Sequence, residues 1–197
     1  MATAPSSDAA SPPAQAHAPD LDNALWRFVL SFYAREGVSA ACLTLQDKLG
    51  VDVDILLLAI FAQAERGILL DANDVAAVDA LVRDWRSEII QPLRCVRTRL
   101  KTGHAPAPSA ITEPLRDRVK AAELEAEQIE LAMLADWLDR QPPRPTNAAG
   151  AARAVLTVAR YFQTRSPEGP LAPEVENALR ILAQATDVGR TTGAPQE

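Results

Sequence analysis

The chain has 197 residues, of which 48% are hydrophobic, and carries a net charge of -6 with a pI near 5.0. This length and composition are sufficient for one domain with a packed core, and the acidic balance excludes a protein whose main ligand is nucleic acid, because a phosphate backbone requires a large basic surface. The longest apolar run, residues 55–62, is too short to cross a bilayer, and the two separated cysteines are typical of free thiols in a reducing compartment. We therefore expect a cytoplasmic protein without a membrane span.

Helix is the secondary structure that the residues predict throughout. Glycine is scarce, Ala, Leu, Arg and Glu are abundant, and no alternating strand pattern stands between turn signals. The predicted helices, in chain order, cover about residues 22–36, 39–50, a buried segment from 52 onward, 71–101, 112–140, 147–165 and 173–188. The fold class is therefore all-α, a single irregular bundle of about seven helices.

Proline-rich segments and the chain ends set the expected domain organisation. Residues 1–20, rich in Ala, Pro and Ser, are predicted to form a disordered arm, followed by a core helical domain over 21–141. A helical pair over 142–188 is predicted to pack on that core or to be appended to it, and 189–197 to form a short flexible tail. Within the fourth helix, Pro92 should kink the helix or divide it in two.

Charge is distributed unevenly between the fourth and fifth helices. Residues 83–101 contain six cations and two acids, whereas residues 111–141 contain four cations and eight acids. At 100° per residue, most of these cations form a stripe beside an apolar face, while three of the acids fall on the apolar face of the fifth helix. Since a buried carboxylate requires a partner, we expect an antiparallel pair joined by an ion-pair seam. The predicted members of this seam are Arg86, Arg94, Arg97, Lys101, Glu123, Glu127 and Glu130.

Two alternatives to a closed seam remain at this point. The basic stripe could stay open and bind an anionic ligand or an acidic partner surface. The acids could also hold a metal as helical di-iron proteins do, but that architecture requires Glu-x-x-His pairs, and the two histidines, His17 and His104, lie in the arm and in a linker. No metal ligand and no cofactor site is predicted.

Three further polar residues are candidates for a pocket. Cys42 and Gln46 share one face of the second helix, and Asp52 stands immediately before the third. The pair Asp52-x-Asp54 has a spacing that chelates metal in some transferases, but before an apolar helix it favours capping of free N–H groups. No nucleotide-binding or nucleophile motif occurs, so no catalytic residue is predicted.

The stretch "LWRFVLSFYAREGVSAACLTLQDKLGVDVDILLLAIFA", with the later "PLRCVRTRLK" and "AELEAEQIEL", resembles an uncharacterised proteobacterial family of short cytoplasmic proteins, a domain of unknown function. The resemblance covers roughly residues 25–134. It implies a bacterial helical protein and supplies no activity.

The sequence favours a non-enzymatic role in protein–protein interaction, as an adaptor whose partner is another protein. The rival hypothesis is a small helical enzyme or a protein that binds an anionic ligand. Its pocket would be formed by Cys42, Gln46, Asp52, Arg94 and Glu127. The oligomeric state does not follow from the residues.

Overall fold

The computed structural model describes residues 18–103, 105–142, 144, 150–163 and 171–191, the last of these with side chains up to residue 186. The helices of these residues are α1 Ala24–Tyr33, α2 Val38–Leu49, α3 Val53–Arg66, α4 Ala72–Trp85, α5 Gln91–Leu100, α6 Ser109–Asp139, α7 Gly150–Gln163 and α8 Pro173–Thr191. A π-helical turn, Arg86–Ile90, joins α4 and α5 into one continuous segment. Seven helical segments and no strand are present in this part of the chain, which confirms the all-α prediction.

Local sequence explains where the helices begin. Asn23 accepts a hydrogen bond from the Trp26 amide at the start of α1, and Asp52 accepts from the amides of the first turn of α3. Asp71 forms a reciprocal capping box with Asp74 before α4. Each cap satisfies amides that a helix N-terminus leaves without a partner, so polar residues between apolar runs set the element boundaries.

The apolar helix α3 lies at the centre of the molecule. Nine consecutive residues, from Ile55 to Gln63, are buried, as expected for a helix that is surrounded by others. Helices α1, α6 and α7 pack directly against it. Helix α8 packs on α2 and α7, and buried residues of both C-terminal helices, such as Val155 and Leu182, belong to the same hydrophobic cluster as α3.

Helix α5 and the N-terminal half of α6 form an antiparallel hairpin. The C-terminal half of α6 is anchored in the core by Leu131, Leu134 and Leu138, all of which are buried. By contrast, α5 contains no buried residue, although it packs along α6 over its length. The hairpin therefore projects from the core, and the partly buried Leu93 and Leu100 are the main apolar residues that α5 turns inward, so polar contacts must contribute to holding the two helices together.

The π-helical turn has a local cause in Pro92. Proline has no N–H, and its ring would collide with the carbonyl four residues earlier in a regular helix. In the structure, the Gln91 amide donates to the carbonyl of Arg86, five residues back, so the chain absorbs one additional residue before the proline. The expected disturbance at Pro92 is thus a widened turn that keeps the helix continuous.

Some sequence predictions concern the chain ends. Helix α8 continues to Thr191, three residues into the segment predicted as a tail. The predicted arm before residue 18 and the tail beyond residue 191 lie outside the described residues. Among the helices that the structure describes, none is long and apolar enough to cross a membrane.

Candidate functional site

The predicted seam residues Arg94 and Arg97 lie against two glutamates of α6. Arg94 Nε donates to Glu123 Oε1 at 3.0 Å and its Nη2 donates to Glu127 Oε1 at 2.6 Å. Arg97 binds both carboxylate oxygens of Glu123, with Nη2 at 3.1 Å from Oε1. These contacts join α5 to α6. Lys101, at the end of α5, is exposed and forms no ion pair with a described residue.

The pKa values of the two glutamates diverge. Burial alone would raise the pKa of Glu123, but hydrogen bonds from Arg97 and Arg94 outweigh burial and hold this pKa below its usual value. Burial dominates at Glu127 and raises its pKa, against the opposing charge of Arg94. Since both guanidiniums are engaged, the stripe is not an open anion site at these two positions.

Arg86 forms its ion pairs with two aspartates and with none of the glutamates predicted to be its partners, although its charge acts on nearby Glu130. Its guanidinium lies between α3 and α4, where it donates to Asp52 Oδ2 and, at 2.7 Å, to Asp79 Oδ1. Asp79 is fully buried and also accepts from Arg83 Nη2 and from the Tyr161 hydroxyl, each at 2.9 Å. Burial raises the pKa of Asp79, but the donors Arg86, Arg83 and Tyr161 more than reverse this and hold it well below its usual value.

Glu130 is the member of the predicted seam without a guanidinium. Glu130 is 1% exposed, and neither of its carboxylate oxygens has a hydrogen-bond donor among the described residues. Burial, and then the negative charges of Asp52 and Asp54, raise the pKa of Glu130 to about 10. When no cation is bound, the hydrogen bond that remains available to Glu130 is one in which its carboxyl group is protonated and donates to Asp52.

Asp52, Asp54 and Glu130 converge where α3 begins beside α6. One carboxylate oxygen from each lies within 4.8 Å of the others. Asp52 caps α3 as predicted, through Oδ1, which accepts from the amides of Asp54 at 2.9 Å and Ile55 at 3.3 Å. Burial and the neighbouring carboxylates Asp52 and Glu127 raise the pKa of Asp54, while nearby guanidiniums act in the opposite direction. The three acids thus lie close enough that ionising one of them disfavours ionising its neighbours.

Four of the five predicted pocket residues, Cys42, Asp52, Arg94 and Glu127, lie near enough to Asp54 to interact with it electrostatically. Asp52 belongs to the Arg86 group, whereas Arg94 and Glu127 belong to the α5–α6 group. Cys42 is fully buried, and burial together with the charge of Asp54 raises the pKa of its thiol to about 12, which disfavours the reactive thiolate. Gln46 is half-buried on α2, and no hydrogen bond among the described residues joins its side chain to these acids.

Sequence reasoning missed several contributors to this cluster. Asp79 stands four and seven residues before Arg83 and Arg86, a helical spacing that could have indicated the contact. Tyr161 reaches Asp79 from α7, 82 residues further along the chain, and outside this cluster Arg144 binds both oxygens of Asp74 across 70 residues. Such distant pairs have no signal in a single sequence.

Apolar side chains line one side of the hairpin. Val96, seven residues from Ile89, is 45% exposed, and Ile111 and Leu115, four residues apart, are 70% and 44% exposed. With α5 and α6 antiparallel and their charged faces turned together, the two rows fall on the same side. We call Ile89, Val96, Ile111 and Leu115 the outer strip. Leu124, 52% exposed, lies on the opposite flank of α6.

Together these features define an all-helical protein in which interior ion pairs fasten a projecting helical hairpin to an apolar core. Residues 24–134 match the family model described as "Protein of unknown function (DUF2390)", and the chain belongs to that family. The match confirms the predicted resemblance, over roughly residues 25–134, to an uncharacterised domain family. The match spans α1 to α5 and most of α6, so it contains the carboxylate cluster and the hairpin, while α7 and α8 lie beyond it. No curated protein and no solved structure shows significant similarity to the chain.

Proposed function

We propose that this protein is a non-enzymatic cytoplasmic interaction protein that binds through the outer strip of its hairpin, and that the strip is occupied by the hairpin of a second copy of the chain. The observation that carries the proposal is that α5, although Leu93 and Leu100 are partly buried, leaves an apolar residue exposed beside its ion pairs. Its charged residues Arg94 and Arg97 face α6, whereas Val96 faces away from it and is exposed. A helix that only had to pack on α6 would turn its apolar residues inward.

The exposed side chains form a continuous surface along both helices. Single exposed apolar residues are common on proteins, but rows at helical spacing on adjacent helices are the pattern by which helix faces recognise one another. Interior ion pairs fix the hairpin, so the strip is held in place before any partner binds. This pre-organisation reduces the ordering cost of association.

Charge and residue size on α6 support a second copy as the partner. Arg118 and Glu125 are exposed, stand seven residues apart on the border of the strip, and form no ion pair with a described residue. The small residue Ala122 lies between them, where two helices could approach closely. In a two-fold, antiparallel pairing of hairpins about this point, Arg118 of each copy would face Glu125 of the other. The surface is therefore complementary to itself.

The test is sedimentation equilibrium of the full chain, in which we expect a reversible dimer. Leu115→Glu should shift the equilibrium toward monomer, because it places a charge in an apolar interface. Leu124→Glu is the matched control, since it introduces the same charge at a similarly exposed leucine of the same helix, and should leave the dimer intact.

Exchanging the charges of Arg118 and Glu125 tests the proposed antiparallel arrangement of the two hairpins in the dimer. Arg118→Glu and Glu125→Arg should each weaken the dimer, because each places like charges opposite one another, and the double variant should restore it. A parent protein that remains monomeric at all accessible concentrations would refute self-association. A dimer equally insensitive to Leu115→Glu and Leu124→Glu would place the interface elsewhere.

A further inference from the structure

Within the buried cluster, the charges do not balance. Four carboxylates have a guanidinium partner: Asp52, Asp79, Glu123 and Glu127. Asp54 and Glu130 have no ion pair within the described part of the chain. One oxygen of each nevertheless lies within 4.8 Å of the other and of an oxygen of Asp52. When ionised, these two additional carboxylates carry the charge that one divalent cation would neutralise.

The burial of Glu130 indicates that the two carboxylates without a guanidinium partner form a binding site and not a solvated acidic surface. Glu130 is 1% exposed, and its two oxygens have no donor among the residues described, although a buried carboxylate is costly when nothing binds it. One of its oxygens lies within 4.8 Å of an oxygen of Asp52 and of Asp54, so a cation between them could accept lone pairs from all three. Asp54 is partly buried as a whole residue, although burial is the main cause of the raised pKa of its carboxyl group.

We infer that Asp52, Asp54 and Glu130 bind a hard divalent cation of the Mg²⁺, Mn²⁺ or Ca²⁺ class. The donor set consists entirely of carboxylate oxygens, which these ions prefer, and it contains no imidazole or thiolate that would select zinc or copper. Arg86 neutralises Asp52 and fixes its orientation through Oδ2, while Asp54 and Glu130 supply the charge.

The site has a structural consequence, because it joins the first turn of α3 to the middle of α6. Helix α6 continues from this point into the hairpin, so a bound cation would fasten the base of the hairpin to the central helix. This inference does not depend on self-association. Leu115→Glu, which tests the dimer, should leave cation binding unchanged.

The experiment uses the full chain after treatment with a chelator and its removal. Titration with MgCl₂, MnCl₂ and CaCl₂ is followed by isothermal calorimetry and by thermal unfolding, and Mn²⁺ also by the loss of its free-ion electron paramagnetic resonance signal. We expect one site per chain for at least one ion, with a rise in Tm at saturation. Glu130→Gln and Asp54→Asn should each reduce the affinity by about tenfold or more, since each removes a charged ligand.

Asp117→Asn is the matched control, because Asp117 is an exposed acid of the same helix, forms no ion pair with a described residue and lies seven residues before Leu124, on the flank opposite the outer strip; this variant should bind the ion as the parent does. Should Glu130→Gln fail to fold, Asp54→Asn, at a partly exposed position, carries the test by itself. Absence of binding by all three ions at millimolar concentration would overturn the inference and leave a proton as the only occupant. Binding that persists unchanged in both Asp54→Asn and Glu130→Gln would overturn it as well.

Discussion

The hairpin contacts predict that two neighbouring arginines differ in their contribution to stability. Arg94 binds two carboxylates, at 3.0 Å on Glu123 and 2.6 Å on Glu127, whereas Arg97 binds Glu123 alone. Arg94→Ala therefore leaves Glu127 without a guanidinium among the described residues and Glu123 with one. Arg97→Ala leaves both glutamates with Arg94. Arg94→Ala should be the more destabilising substitution.

The size of the expected change in the free energy of unfolding follows from how deeply the ion-paired side chains are buried. Removing one partner of a fully buried pair costs about 3–5 kcal/mol, and an exposed pair contributes about 0–1 kcal/mol. The side chain of Arg94 is 34% exposed and that of Glu127 is 26% exposed, so water can partly replace the lost contacts. We expect a decrease in the free energy of unfolding of about 2 kcal/mol for Arg94→Ala and about 1 kcal/mol for Arg97→Ala.

Urea denaturation followed by circular dichroism measures these differences, provided that the m-value stays constant. Arg99→Ala is the control, because Arg99 is exposed on the same helix and forms no ion pair with a described residue; its effect should stay within about 0.5 kcal/mol. A double-mutant cycle of Arg94→Ala with Glu127→Ala should give a coupling of about 1 kcal/mol or more. The reasoning fails if Arg94→Ala and Arg99→Ala destabilise the protein equally.

Three more predictions follow from single sites. The pKa of Glu123 is lowered by folding, so its contribution is present above the unfolded pKa and lost as pH falls; the free energy of unfolding should decrease below about pH 5, and less steeply in Glu123→Gln. In a thiol-labelling assay at neutral pH, Cys95 should react readily and Cys42 only after unfolding, whereas equal rates would show that Cys42 is accessible. Gly37→Ala should lower the free energy of unfolding by about 1–2 kcal/mol in urea denaturation, since φ is +77° and the new Cβ would lie 3.2 Å from Ile181; an unchanged stability would contradict this packing.

Periodicity and capping residues were sufficient to predict most helices. The apolar run after Asp52 has no polar face, and the structure accordingly buries α3 at the centre. The opposite local charges of residues 83–101 and 111–141 pointed to contacts between α5 and α6, and Arg94 and Arg97 do lie against Glu123 and Glu127 there. These features depend on residues that are close in sequence or on two helices joined by a short loop.

The position of Arg86 could not be predicted in the same way. A wheel with a constant 100° per residue places Arg86 on the stripe of Arg94 and Arg97, but the widened turn before Pro92 changes the relation between the two halves of the helix. The convergence of Asp54 with Glu130 also depends on how α3 and α6 cross, which no local pattern specifies. The position of Arg86 and the convergence of Asp54 with Glu130 are therefore both set by tertiary packing.

The π-helical turn Arg86–Ile90 separates the chain length of this segment from the direction of the hairpin. Because the turn accommodates one additional residue, deletion of one residue there would close it to a regular helix and leave α5 in nearly the same orientation, with Arg94 still against α6. The same deletion in the regular part of α5 would rotate every residue after it by about 100° about the helix axis. The turn is therefore the place in this segment where a change in chain length of one residue is tolerated without redirecting the hairpin.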